Sequence, residues 1–191
     1  MPVELGWQPS FGPQQLIGHY KIGVDVDTSR YPLLSGNGAT SGRRMYYLLL
    51  DQMLWRTGRA DTDGLIAFAG VVHADAAVTP LANHVFGGVV TTAAALGRPQ
   101  DTIGLEASWL ALSSALTAAA PIDLSLGLPA AVGQGAAPGR LAHETILEWI
   151  YVAFIWQGVA LSPDVQYVRH PGATGHTPDA LVLGLRSSVQ F

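Results

Sequence analysis

The sequence predicts an all-β fold, an antiparallel meander of long strands suited to a transmembrane β-barrel. Apolar and polar residues alternate with period two along most of the chain. The alternating runs reach about 10 to 13 residues, twice the common soluble strand and close to the length of a tilted membrane strand. Charge is scarce: 13% of the 191 residues are charged and 49% are apolar, against a usual charged share of about 25%. A strand with one face in lipid has little use for charge on that face.

The elements follow in order. A short strand is expected over Val3–Ser10. From Leu16, the residues Leu16, Gly18, Tyr20, Ile22, Val24 and Val26 fall on one face, with Ile17, His19, Lys21, Gly23, Asp25 and Asp27 on the other. A polar loop is expected near 27–42, where Pro32 and Gly36-Asn37-Gly38 interrupt the pattern. Met45–Arg56 is long and apolar on both faces, with Asp51 and Gln52 near its middle. Gly64–His73 and Val85–Leu96 are rich in Gly, Ala and Val, and Asp61-Thr62-Asp63-Gly64 marks the turn before the first of them. After Gly97-Arg98-Pro99, Asp101–Ala111 alternates again, and a long Ala, Gly and Pro-rich loop is expected over 117–142. Glu144–Trp156 and Val159–His170 pair across Gln157-Gly158, and Leu181–Phe191 closes the chain with clean alternation. About eight or nine strands result, in a single domain spanning 1–191 with no internal repeat. The short connections at Gly97-Arg98-Pro99 and Gln157-Gly158 contrast with the long ones, as the two ends of an outer-membrane barrel do.

Other classes fit poorly. A membrane helix needs about 20 apolar residues, and Leu147–Trp156 supplies about half that number. Ala107–Ala120 is diluted by Ser108, Ser113, Ser114 and Thr117 and stopped by Pro121. With no cysteine there is no disulfide scaffold. Ten Lys and Arg against fourteen Asp and Glu give no basic stripe for nucleic acid. The start, Met1-Pro2-Val3-Glu4, lacks the charged and apolar regions of a secretory signal, so an export signal is expected to be absent from this chain.

The chemistry is mostly that of a wall. The six histidines show neither helical i, i+4 pairing nor Cys partners, so no metal site is expected. Glu144 and Glu148 lie roughly 13 Å apart along a strand, too far for a paired glycosidase geometry. No nucleophile elbow or phosphate loop is present, so neither an enzyme nor a cofactor is expected. The alternation makes Lys21, Asp25, Asp27, Asp51, Glu106, Glu148, Asp164, Gln166 and Arg186 the inward candidates, since Lys or Arg facing lipid near the midplane costs about 2 to 4 kcal/mol. Tyr20, Tyr46, Trp109, Trp149, Tyr151, Trp156 and Tyr167 are candidates for interfacial girdles.

The stretches Gly18-His19-Tyr20-Lys21-Ile22-Gly23, Leu50-Asp51-Gln52-Met53, Gly64-Leu65-Ile66-Ala67-Phe68, Gly97-Arg98-Pro99-Gln100-Asp101-Thr102-Ile103-Gly104-Leu105, Glu144-Thr145-Ile146-Leu147-Glu148, Ser162-Pro163-Asp164-Val165-Gln166-Tyr167-Val168 and Ala180-Leu181-Val182-Leu183-Gly184-Leu185-Arg186, in this order and closing on Phe191, resemble the carbohydrate-selective porins of the OprB type. The resemblance implies an integral outer-membrane barrel through which sugars diffuse passively, and it covers the C-terminal half of a barrel of about sixteen strands, a size associated with an aqueous channel. Expected partners are carbohydrate solutes, outer-membrane lipid, the barrel-assembly machinery, and a completing porin half or a second copy. The final aromatic, Phe191, resembles the signal presented to that machinery, although Ser187 stands where an apolar residue would be expected. Two further readings fit the alternation: a small closed barrel of about eight strands that conducts nothing, and a soluble barrel with a ligand inside. They differ in whether the apolar face points outward or inward.

Overall fold

The computed structural model describes residues 1–35, 37–58, 63–118, 143–173 and 177–190. They form one antiparallel sheet of ten strands: β1 (Pro2–Trp7), β2 (Ser10–Phe11), β3 (Leu16–Pro32), β4 (Ala39–Arg56), β5 (Gly64–Ala74), β6 (Leu81–Ala93), β7 (Arg98–Leu112), β8 (His143–Trp156), β9 (Val159–Arg169) and β10 (Ala180–Val189). The order is β1-β3-β4-β5-β6-β7-β8-β9-β10, with β2 off this path against β3. From β3 onward each strand therefore lies beside its sequence neighbour, as in a hairpin meander. Among the described residues β1 and β10 have no outer neighbour, and the sheet is not closed.

Several strands run further than the alternation alone predicts. The expected loop near 27–42 is mostly strand: β3 continues to Pro32 and β4 begins at Ala39, pairing Tyr31 with Thr40 and Pro32 with Ala39 after a register shift between Asp27 and Arg30. That irregularity absorbs Thr28 and Ser29, and the Ser29 N–H donates to the Asp27 carboxylate at 2.7 Å. Polar residues on both sides of a hairpin near the water need not stop its ladder. In the other direction, the strand expected to reach Leu96 ends at Ala93, because Ala94–Leu96 form a 3₁₀ turn. Gly97 closes that turn at φ 74°, a left-handed conformation glycine enters without a Cβ clash. The short first strand is split into β1 and β2 by Gln8 and Pro9; Pro9 has no N–H to offer, but its carbonyl accepts from Gly18 N at 3.0 Å. Of the loop expected over 117–142, residues 119–142 lie outside the described residues, as do Gly36, 59–62 in the turn before β5, and Phe191.

Directly opposed residues project to the same face of a sheet, so the registers join into rows. One row runs His19, Asp51, Phe68, Gly88, Glu106, Glu148, Gln166, Val182. On the opposite face a row runs Trp7, Tyr20, Leu50, Ala69, Gly87, Ala107, Leu147, Tyr167, Leu181. Among the described residues no second layer covers this apolar face. Leu5, Ile22, Leu147 and Leu183 are all exposed, whereas the buried apolar set is largely alanine. A water-soluble sheet would bury such a face against another element.

The polar face is the more crowded of the two. Tyr47 lies over Gly23, Phe86 over Gly70, Phe68 over Gly88 and Asp164 over Gly184, and each of these is a directly opposed pair. Small residues facing large ones let the side chains of neighbouring strands interlock on this face.

The two ends of the sheet differ. β8 and β9 are joined by Gln157-Gly158, and β6 and β7 by the 3₁₀ turn and Gly97. The opposite end carries the connections after β3, β5, β7 and β9. There Leu34 N donates to Ala77 O at 2.9 Å and Ser113 N to Pro80 O at 2.8 Å, tying three connections together. The fully buried Ser113 hydroxyl accepts from Ala115 N at 3.1 Å and Leu116 N at 3.3 Å and donates to Ala76 O.

Candidate functional site: the polar face of the sheet

Lys21, Asp25 and Asp27 stand on β3, Asp51 on β4, Glu106 on β7, Glu148 on β8, Asp164 and Gln166 on β9, and Arg186 on β10. The register puts all of them on one face: Asp51, Glu106, Glu148 and Gln166 share the row described above, and the others lie an even number of residues from it on their own strands. Period two, followed through a continuous ladder, leaves no other arrangement.

Side chains that the alternation did not single out join them. Glu4, on the same face of β1, binds Lys21 Nζ at 3.2 Å and accepts from Tyr47 OH at 2.7 Å. His19 Nδ1 lies 2.7 Å from Asp51 Oδ2. Asp27 is held by the Ser29 N–H and the Tyr31 hydroxyl, and the Arg43 guanidinium sits 5.0 Å from the Tyr31 ring centroid. Gln166 Nε2 donates to Asp164 Oδ2 at 3.3 Å. Glu106 and Glu148 are directly opposed, one row from the His84 and Ser108 pair at 2.7 Å. Arg186 opposes Ser162. Glu4 was hidden in a short first segment, and His84 in a strand dominated by Gly, Val and Ala; pairing, rather than local pattern, brings both onto this face.

The aromatic candidates Tyr20, Tyr46, Trp109, Trp149, Tyr151, Trp156 and Tyr167 all fall on the apolar face. Trp149 and Tyr151 stack at 6.3 Å. Near the turn end, the carboxylate of Asp101 is buried and accepts from Tyr151 OH, from Phe154 N at 3.0 Å, and from Arg98, which also donates to Phe154 O at 3.1 Å. At the other end Asp179, just ahead of β10, accepts from Tyr167 OH at 2.6 Å and from His170 N at 3.1 Å. The Tyr167 hydroxyl, and next the His170 N–H, hold the Asp179 carboxyl below its ordinary pKa.

Chemically, one face offers carboxylates, cations, amide and hydroxyl groups that exchange hydrogen bonds with water or a polyol. The other offers a largely apolar surface that carries Trp and Tyr. Among the described residues no three His, Asp or Glu side chains converge as metal ligands would.

Comparison with known proteins agrees with this architecture. The family model described as carbohydrate-selective porin, OprB family, matches residues 1–191. Porin B of Pseudomonas aeruginosa is 25% identical over 210 residues, covering 100% of this chain and 45% of that protein. A high pH structure of Pseudomonas putida OprB superposes with a TM-score of 0.86 at 21% identity, covering 100% of this chain and 48% of that one. A low pH structure of the same protein gives 0.61 at 20% identity, covering 46% of its chain. The chain spans just under half the length of these relatives.

Proposed function

The chain belongs to the carbohydrate-selective porin family OprB, and on that premise we propose that it forms part of the wall of an outer-membrane channel through which sugars diffuse passively. The observation that carries this reading is the division of the sheet into a charged face and an exposed apolar face. If the apolar face meets lipid, Lys21, Asp25, Asp27, Asp51, Glu106, Glu148, Asp164, Gln166 and Arg186 line the lumen. A neutral polyol that sheds water on entry then regains hydrogen bonds from a wall carrying both donors and acceptors, so its passage costs little.

The opposite placement is expensive. Lys or Arg facing lipid near the midplane costs about 2 to 4 kcal/mol, and this face carries carboxylates as well. The strand lengths agree: the ten residue steps from Arg169 back to Val159 span about 33 Å along β9, or about 25 Å along the membrane normal at a tilt of about 40°. The role is passive conduction rather than catalysis. Insertion would follow the outer-membrane route, with Phe191, outside the described residues, offered to the barrel-assembly machinery.

Reconstitution of the chain within a complete barrel tests the reading. Proteoliposomes should admit mono- and disaccharides faster than protein-free vesicles, and maltodextrin should interrupt single-channel current in planar bilayers. Inserted protein that stays attached to membranes in alkaline carbonate yet passes no sugar would remove the transport claim. Release by carbonate would remove the barrel itself.

A further inference from the structure

Three of the five described histidines have a ring nitrogen engaged: His19 with Asp51, His73 with Asn83 and His84 with Ser108, each at 2.7 Å. The other two, His143 and His170, have no hydrogen-bond partner for either ring nitrogen among the described residues. These two are also neighbours. Their ring centroids lie 5.7 Å apart, with the ring planes at 72°. Both residues are half-buried at the loop end of the sheet, where water reaches them.

The backbone makes the pair. His143 opens β8 opposite Ala111 and shares the apolar face with Trp109, whose ring centroid lies 5.8 Å from its own. Strict alternation would send His170 to the other face, with Gln166 and Val168. At His170, however, φ is 53°, a left-handed conformation uncommon for a residue with a Cβ. The alternation of β9 ends there, and the ring meets His143 instead. Several hydrogen bonds brace this turn: His170 N donates to Asp179 Oδ1 at 3.1 Å, Ala173 N to His170 O at 2.8 Å, and Gly172 N to Glu144 Oε2 at 2.6 Å. A sparsely populated conformation persists only where its surroundings hold it in this way.

From this geometry we propose that His143 and His170 hold one divalent transition-metal ion, of the copper and zinc kind, between one imidazole nitrogen of each, with water in its remaining positions. Neutral imidazole is a good ligand for such ions. Two imidazoles bound to one tetrahedral ion at about 2.1 Å carry their ring centres about 5 to 6 Å apart, and the observed separation lies in that range. Binding displaces no hydrogen bond between these rings and the described residues. The carboxylates of Glu144 and Asp179 flank the turn and favour a cation, whereas the exposed Arg169, opposite Thr145, disfavours one. Helical spacing and cysteine, the sequence signals of a metal site that are missing here, belong to other scaffolds; on a sheet the two ligands come from different strands. The site does not depend on what the channel passes.

Titration of the 191-residue chain, refolded in detergent micelles, with Cu²⁺ alone at about pH 7.5, where imidazole is mostly neutral, tests the pair. Binding should quench tryptophan fluorescence, because Trp109 lies beside His143. His170→Asn supplies a residue that tolerates the left-handed conformation, and His143→Phe keeps a ring against Trp109. Either variant should weaken Cu²⁺ binding by about tenfold or more, because the second imidazole of a pair acts at high effective concentration. His73→Ala removes an imidazole already bonded to Asn83 and should leave the affinity unchanged. Circular dichroism verifies that each variant keeps the sheet. Electron spin-echo modulation of the bound Cu²⁺ should show two coordinated imidazoles in the wild type and one in each of the two pair variants. Equal affinity of the wild type and both pair variants, or a single imidazole in the wild-type spectrum, would overturn the proposal. Sugar flux enters neither readout, so failure of the transport reading is separately visible.

Discussion

Glu106 on β7 and Glu148 on β8 stand directly opposite each other on the polar face, a like-charge pair where a sheet ordinarily places opposite charges or an apolar contact. Opposed like charges destabilise a strand pair, by an amount on the scale of about 0.2 to 1 kcal/mol for cross-strand pairs. Glu148→Gln should therefore stabilise the assembled barrel by up to about 1 kcal/mol, read from the urea midpoint in lipid vesicles. If the pair faces the lumen, the same variant should also lower the preference for cations, read from the reversal potential across a salt gradient. A destabilised variant with unchanged selectivity would count against the lumenal placement.

Asp101 gathers the turn end of β7 and β8. Its carboxylate is the acceptor for Tyr151 OH, Phe154 N and Arg98. Asp101→Ala leaves all three donors without it, whereas Arg98→Ala removes one donor and leaves Asp101 with the other two. The alanine at 101 should thus lower the unfolding midpoint more than the alanine at 98, with Asp101→Asn in between. An equal loss from all three would mean that packing, not the shared acceptor, holds this corner.

The glycines of the polar face set how closely neighbouring strands carry large side chains. A Cβ at Gly70 would stand 2.3 Å from Phe86 Cζ and 2.8 Å from Leu49 Cδ2. Gly70→Val should cost about 1 to 3 kcal/mol through overpacking. Gly87→Ala, on the apolar face, would meet the Ala69 side chain at 3.5 Å and the Phe68 carbonyl at 3.2 Å, and should cost less. Comparing the two by equilibrium unfolding in vesicles checks which face is crowded.

Much of this is legible in the amino-acid sequence. Lys21, Asp25, Asp164 and Arg186 could be assigned to one face because a strand alternates with period two and a slip of one residue would reverse every side chain. Strand ends were less legible. The extension of β3 past Asp27 depends on an irregularity satisfied by Ser29 and Tyr31, and the end of β6 at Ala93 depends on the left-handed conformation of Gly97. Both are set by local hydrogen bonding rather than by hydrophobic pattern. The contacts of Glu4 with Lys21 and Tyr47 were illegible for another reason: they join β1 to β3 and β4, and only the pairing order reveals them.

The Asp179 carboxyl gives the loop end an acid-sensitive tie. Its pKa is depressed by the Tyr167 hydroxyl and then by the His170 N–H, so the stabilisation it supplies is complete above the unfolded value of about 3.9. As pH falls through the lower folded value the carboxyl protonates and that stabilisation is lost. Hydrogen exchange at the His170 amide, corrected for the intrinsic pH dependence, should lose protection as pH is lowered below about 4. In Asp179→Asn the protection should be weaker at neutral pH and should no longer change across this range. A wild-type amide whose protection is indifferent to acid would show that the tie does not depend on the charged carboxylate.

Val165 and Gln166 are adjacent on β9 yet project to opposite faces. Val165 opposes Trp149 and Leu183 on the apolar side, and Gln166 opposes Glu148 and Val182 on the polar side. Both lie near the middle of the strand, where the cost of a cation in lipid is greatest. If the apolar face meets hydrocarbon, Val165→Arg must bring its guanidinium into the membrane or bend toward the interface, and should lose about 2 to 4 kcal/mol. Gln166→Arg, one residue away, would meet water and the carboxylates of Glu148 and Asp164, and should change stability by less than about 1 kcal/mol. Refolding equilibria of the complete barrel in vesicles read both values, and the difference between them cancels effects common to any arginine on this strand. The reverse order, with Gln166→Arg the costlier, would mean that the charged face, not the apolar one, meets the low-dielectric surroundings, and would remove the lumenal placement of Gln166.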